Sequence, residues 1–318
     1  LQASQTPTPP DRTNRAWSRI LRYGLVLWGA TVLVTFVTGN TNLLPTIVLL
    51  GSFLVPVTFV AWAYEHARGD NVTVELLFSA FVIAGVLGVL GASLLERLLG
   101  PSPAMFIGIG VIEEGAKVAA LVFVARSMAH RTPRDGLVLG ATVGFGFAAF
   151  ESAGYALNAL VTERGLSLIA LVETEILRGL LTPLGHGLWT AIVGCVLFAA
   201  SAGRKWRVTL GVVATFVGVS LLHALWDSAH VIAFRLTMLL TSQPWQERLM
   251  RTGRVPELTP AQTHLITLMD WVGLAAISAL GVLWLLRLWG RHSGRGNRSG
   301  PRDERPRDNE NPPDIDDT

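Results

Sequence analysis

Residues 104–125 read Ala104-Met-Phe-Ile-Gly-Ile-Gly-Val-Ile-Glu113-Glu114-Gly-Ala-Lys117-Val-Ala-Ala-Leu-Val-Phe-Val-Ala125, an apolar run with three charges at its middle. A helix of about 20 such residues crosses a bilayer. A carboxylate or lysine at the centre of such a helix costs about 2.5–3.5 kcal/mol on insertion scales. Four more ionisable groups, Glu151, His186, His223 and Asp227, lie in other apolar runs. Groups so placed must pair with one another or line a wet cavity. A bundle with only a structural purpose has no need of them.

Outward from that run, the same length criterion predicts eight spans: 20–38, 43–64, 74–95, 104–125, 136–160, 182–202, 208–232 and 266–288. The expected fold is therefore an all-α polytopic membrane protein of about eight transmembrane helices, with a buried polar cluster in spans four to seven. Residues 1–19 form a polar N-terminal tail and 20–290 the multi-pass membrane domain, whose motif-bearing core is 104–232. Residues 291–318, rich in Gly, Pro, Arg and Asp, form a tail expected to be disordered. The polar, proline-bearing start is unlike a signal peptide, so the first span is expected to stay as an anchor. The 161–181 stretch, with Glu163, Arg164, Glu173, Glu175 and Arg178, is too polar to span and predicts a short surface helix. The 233–265 connection, which carries Trp245, suits either an interfacial helix or a plain loop.

Composition agrees with this placement. Only 15% of the 318 residues are charged, against about 25% in a soluble domain. Many of the 32 glycines sit inside apolar runs, as in Gly140-Ala-Thr-Val-Gly144-Phe-Gly146, which suits close helix packing in lipid. Cys195 is the only cysteine, which excludes an intramolecular disulfide and a cysteine-built zinc cage. The net charge of +3 is dominated by arginines in tails and short loops, so it reports membrane orientation and not a nucleic-acid surface. Arg15, Arg19 and Arg22, then Arg126, Arg131 and Arg134, then Lys205 and Arg207, then Arg287 and Arg291 fall on one side. Arg97, Arg164 and Arg178 are sparser on the other. Both termini are expected in the cytoplasm.

Four motifs carry the candidate chemistry. Glu113-Glu114-Gly-Ala-Lys117 puts two carboxylates and a lysine on neighbouring helix positions. Phe147-Ala-Ala-Phe150-Glu151 holds the one charge of the fifth span, and His186 follows Pro183 at the start of the sixth. His223-Ala-Leu-Trp-Asp227 places imidazole and carboxylate on one helix face. Glu113, Glu151 and His223 each lie about nine residues from the expected outer end of their span, or about 14 Å deep. One cavity open to the outside could hold all of them.

In this order the motifs resemble the PrsW family of bacterial intramembrane proteases, distant relatives of the CAAX prenyl endopeptidases. The resemblance covers roughly residues 104–232. The CAAX relatives show an arginine after the glutamate pair and a histidine where Glu151 stands, so both departures point to the PrsW branch. The resemblance implies an endopeptidase of the bacterial plasma membrane acting on a single-pass membrane protein, with first-step cleavage of an anti-sigma factor as the family's known role. It also implies a metalloprotease, whereas the CAAX relatives imply a glutamate-activated water.

The candidate catalytic residues are Glu113, Glu114, Glu151, His223 and Asp227, supported by Lys117 and His186. On the residues alone, Glu113 is the favoured base, sharing a water with Glu151, while His223 and Asp227 stabilise the oxyanion. No cofactor is expected. Zinc held by Glu151, His186 and His223 is the alternative. A proton-coupled transporter is the rival class, but the two halves show no repeat of charge or hydropathy. A scaffold leaves the charge cluster without a purpose.

Overall fold

The computed structural model describes residues 15–67, 71–102, 104–163, 165–201 and 205–296. The N-terminal residues 1–14, the tail from 297 and Arg164 lie outside these. Among the described residues ten α-helices follow one another: α1 (Ala16–Thr38), α2 (Leu44–Ala67), α3 (Val74–Glu96), α4 (Met105–Val124), α5 (Pro133–Leu160), α6 (Leu168–Leu181), α7 (His186–Ala200), α8 (Leu210–Thr241), α9 (Pro244–Arg251) and α10 (Pro260–Gly296). A two-residue antiparallel ladder, Val161–Thr162 with Gly165–Leu166, is the strand pairing among the described residues.

Helix starts follow local chemistry. Thr73, Thr132, Ser167 and Thr209 accept hydrogen bonds from the backbone of the first turns of α3, α5, α6 and α8. At α5 the bond is reciprocated by Asp135, and Pro133 occupies the first helical position, where its missing N–H leaves nothing unpaired.

Seven helical stretches among the described residues are long and apolar enough to cross a membrane. α4 is not among them by composition, because Glu113, Glu114 and Lys117 crowd its 20 residues. It still packs along α3 and α8 inside the bundle. Two expectations change. The 161–181 stretch is not a surface helix apart from the bundle: α6 packs on α5 and α2, and with α7 it makes one 33-residue apolar stretch, Leu168–Ala200. A 3-10 turn at Thr182–Leu184 breaks it, where Pro183 removes a backbone donor. The 233–265 connection is mostly helical. α8 runs to Thr241, α9 meets α10 across a buried amide pair, Gln246 to Gln262 at 3.0 Å, and Gln262 also reaches Thr241 at the end of α8. α8 thus extends nine residues beyond the expected end at 232, about 14 Å of helix.

α5 is the centre of the fold, lying against α2, α3, α6 and α7. Its closest neighbour is α7, and glycine permits the approach. A side chain at Gly144 would run into the carbonyl of His186, and one at Gly146 into the carbonyl of Phe81 on α3. At one end of the bundle, Arg131 stacks on Trp206 (3.9 Å) and Arg134 lies over Trp289 (5.8 Å). The basic loops after α4 and α7 therefore meet each other, and the first turn of α5 meets the late part of α10.

Candidate active site

All seven residues singled out from the sequence come together, on α4, α5, α7 and α8. Lys117 is fully buried and is the hub. Its Nζ donates to Glu114 Oε1 (2.8 Å), Glu113 Oε2 (3.1 Å) and His186 Nδ1 (2.8 Å). Phe147, first residue of the Phe-x-x-x-Glu motif, covers it with its ring at 4.1 Å, a cation–π contact that stands in for water. The in-helix spacing of three and four delivers both carboxylates to one ammonium, as the sequence predicts.

The two imidazoles are set in parallel ways. His223 Nδ1 donates to the buried Glu114 (3.0 Å), whose other oxygen accepts from Thr190 (3.4 Å). Its Nε2 then faces Glu113 Oε2 at 3.5 Å and Asp227 Oδ2 at 3.4 Å. His186 faces Glu151 through Nε2 (3.2 Å) and Glu113 Oε2 through Nδ1 (3.8 Å). Each ring thus has one carboxylate of its own and turns its other nitrogen toward Glu113. The rings lie 5.0 Å apart, edge to face, with Trp189 against both.

One expectation changes here. Glu113 and Glu151 do not flank one shared water site directly, since the His186 ring stands between them. The equal-depth count also fails for His223, because α8 continues past the expected end. The residues meet through packing of α4 on α8.

Three contributors were not foreseen. Arg178 of α6 bonds Glu151, and its Nε donates to Ser152 Oγ at 2.7 Å. Thr190 supports Glu114. Glu96, the last residue of α3, sits beside Glu113 with one buried oxygen unpartnered. The available signal for Arg178 was the apolarity of 168–200 read across its proline break. Glu96 gave none, as helix-end carboxylates are common.

The group Glu113, His186 and His223 offers ligand atoms all within 4.8 Å of one another. This differs from the expected trio by Glu113 in place of Glu151. The carboxylates of Glu96, Glu113, Glu114, Glu151 and Asp227 outnumber the permanent cations Lys117 and Arg178. One carboxylate with two imidazoles, amid excess negative charge, is a donor set that suits a zinc-type divalent cation. The outer carboxylates Glu114 and Glu151 occupy the places where carboxylates orient metal-bound histidines.

The open side of the cluster is formed by Asp227, Arg178 and Glu151, whose side chains are 27%, 24% and 19% exposed, while Glu113 is 8% exposed. Residues 71–244, more than half of the chain, match the family model described as PrsW family intramembrane metalloprotease. The match runs from the start of α3 to the start of α9 and contains every residue of the cluster. No curated protein and no solved structure matches the chain.

Proposed function

The chain belongs to the PrsW family of intramembrane metalloproteases, and from that premise we propose that the Glu113–His186–His223 group is its hydrolytic centre and holds a divalent metal, zinc by donor type. The supporting observation is the convergence of His223 Nε2 (3.5 Å) and His186 Nδ1 (3.8 Å) on Glu113 Oε2. This reading replaces the glutamate-only water favoured by the residues alone. When bound, the metal supplies Lewis-acid polarisation of the scissile carbonyl.

The protein's own groups do the rest. Glu114 holds His223 with Nε2 toward Glu113, and Glu151 holds His186 with Nδ1 toward Lys117 and Glu113, so a metal on His186 would take the lone pair that Lys117 now occupies. Lys117 neutralises part of the carboxylate cluster and keeps it folded in a dry site. Asp227 is the most exposed carboxylate of the group on α8 and lies 3.4 Å from His223. It takes the proton of the attacking water as the new C–O bond forms, then gives it to the leaving amine as the C–N bond breaks.

The substrate is a membrane protein. The finer reading is a single-pass protein cut in an extended or easily unwound stretch near the outer end of its helix, because helical carbonyls are enclosed and hydrogen-bonded. An anti-sigma factor fits that class. In this reading the chain lies in a bacterial plasma membrane with both termini cytoplasmic, and the Arg131–Trp206 end faces inward. Reporter fusions after Ser127 are expected to read cytoplasmic and fusions at Gln246 external.

The decisive experiment is elemental analysis of purified protein beside a proteolysis assay on a single-pass substrate. One metal per chain is expected, with Glu113→Gln, His186→Ala and His223→Ala losing both metal and activity, and Asp227→Asn losing activity alone. Full activity in a metal-free preparation, abolished by Glu113→Gln, would return the chemistry to a glutamate-activated water.

A further inference from the structure

The cluster includes a residue outside the four motifs. We propose that Arg178 is a positioning residue of the hydrolytic site, holding Glu151 and through it the orientation of the His186 ring. This rests on the role given above to the His186–Glu151 pair.

A carboxylate only accepts hydrogen bonds, and Glu151 Oε2 is approached by Arg178 Nη2 and by His186 Nε2 at 3.2 Å. The ring nitrogen facing it must therefore donate. An ammonium only donates, so Nδ1, 2.8 Å from Lys117 Nζ, must be the bare nitrogen. The ring is thereby held at both nitrogens, by Lys117 at Nδ1 and by Glu151 at Nε2. Of these two anchors Lys117 is fully buried, whereas the flexible side chain of Glu151 sits at the open edge of the cluster.

Arg178 fixes it with three contacts on one face of α5. Nη2 bonds Glu151, Nε bonds Ser152 Oγ at 2.7 Å, and the guanidinium lies 4.3 Å over the ring of Tyr155. A planar guanidinium can do all three at once, and a lysine cannot. An exposed surface pair would be worth little, but these side chains are 24% and 19% exposed, and Glu151 is committed to His186 as well.

The helix that delivers Arg178 is also anchored one turn earlier. Glu175 is buried and accepts from Trp28 Nε1 of α1 at 2.7 Å, with its carboxyl pressed against Gly51 of α2. α6 is thus held to α1 and α2 by Glu175 and to the cluster by Arg178.

The test compares Arg178→Ala, Arg178→Lys, Glu151→Gln and the Arg178→Ala/Glu151→Gln double variant in the full-length protein, purified and reconstituted. Arg178→Ala and Glu151→Gln are each expected to lower kcat about 100-fold with little change in KM, the scale of a misplaced reacting group. The double variant should be no slower than Glu151→Gln, because both changes break one chain of contacts. Arg178→Lys should recover little, and added guanidinium should restore Arg178→Ala but not Glu151→Gln. Nitrogen NMR of histidine-labelled protein should show the His186 Nε2–H hydrogen-bonded in the parent and its resonance shifted and broadened in Arg178→Ala, where Glu151 no longer holds the ring. Should Arg178→Ala fail to fold, Arg178→Lys carries the same NMR and kinetic comparison. A parent-like kcat or Nε2 resonance in the Arg178 variants, or losses that multiply in the double variant, would overturn the proposal. A fully active Glu151→Gln would instead overturn the role of the His186–Glu151 pair on which it rests.

Discussion

α5 and α1 are both long apolar helices, yet 83% of the residues in the membrane-spanning window of α5 are buried in protein and only 6% of those in α1. α5 is nonetheless the more polar of the two by sequence, with Asp135, Glu151 and a run of glycines. In water the more apolar helix would be the buried one. In lipid the ordering inverts, because tails solvate Val26 or Phe36 of α1 as well as another helix would. What drives a helix inward is a polar group that lipid cannot accept and small residues that let backbones touch. Inner helices therefore carry chemistry and tolerate little, while outer ones carry anchoring and tolerate much.

The largest contrast is expected in activity. Glu113→Gln keeps shape and removes the carboxylate on which both histidines converge, so metal and proteolysis should be lost together, by at least about 10²-fold in rate, while the protein still inserts. Cleavage of a single-pass substrate in proteoliposomes reads this out, and near-parent turnover would remove Glu113 from the site.

Next comes stability. Lys117→Met leaves Glu113 and Glu114 buried without their shared cation, and a broken buried pair costs about 3–5 kcal/mol. Unfolding in mixed micelles should show that loss. A Glu114→Gln change on the same background should return part of it, since one uncompensated charge is then gone.

Gly144→Val tests the backbone contact. Its side chain would meet the His186 carbonyl, and overpacking of this kind costs about 1–3 kcal/mol. Because His186 is the first residue of α7, activity should drop more than stability. Equal losses of both would mean that the contact serves folding alone.

The smallest effect belongs to α1. Val26 is 68% exposed on the lipid side, so Val26→Ala should change stability by no more than about 0.5 kcal/mol and leave cleavage unchanged. A large loss there would break the inner–outer division, or reveal a partner on that face.

The site was legible in the sequence to the extent that it lies within single helices. Glu113, Glu114 and Lys117, and likewise His223 and Asp227, are joined by the period of the helix itself, which is a local property. Arg178 was read as a charge of a short surface helix because a window centred on 161–181 averages its apolar partners with Glu163, Glu173 and Glu175. Only packing reveals that the charged face of α6 is divided, with Arg178 turned to α5 and Glu175 to α1 and α2. The end of α8 was misplaced for a related reason. The polar pair of Gln246 and Gln262 reads as loop, but buried against each other they extend a hairpin.

The sequence by itself determined that the chain is a bundle of spanning helices with ionisable groups at its centre, because hydropathy and helical period act over a few residues and need no partner. It also determined the carboxylate–lysine and histidine–aspartate pairs. Tertiary structure alone decided that His186 stands between Glu113 and Glu151, that Glu113 rather than Glu151 joins the two histidines, and that Arg178 bonds Glu151. Each of these depends on the rotation and depth of one helix against another. Glycine contacts such as Gly144 against His186 and the length of α8 set that rotation and depth, and no local pattern encodes them.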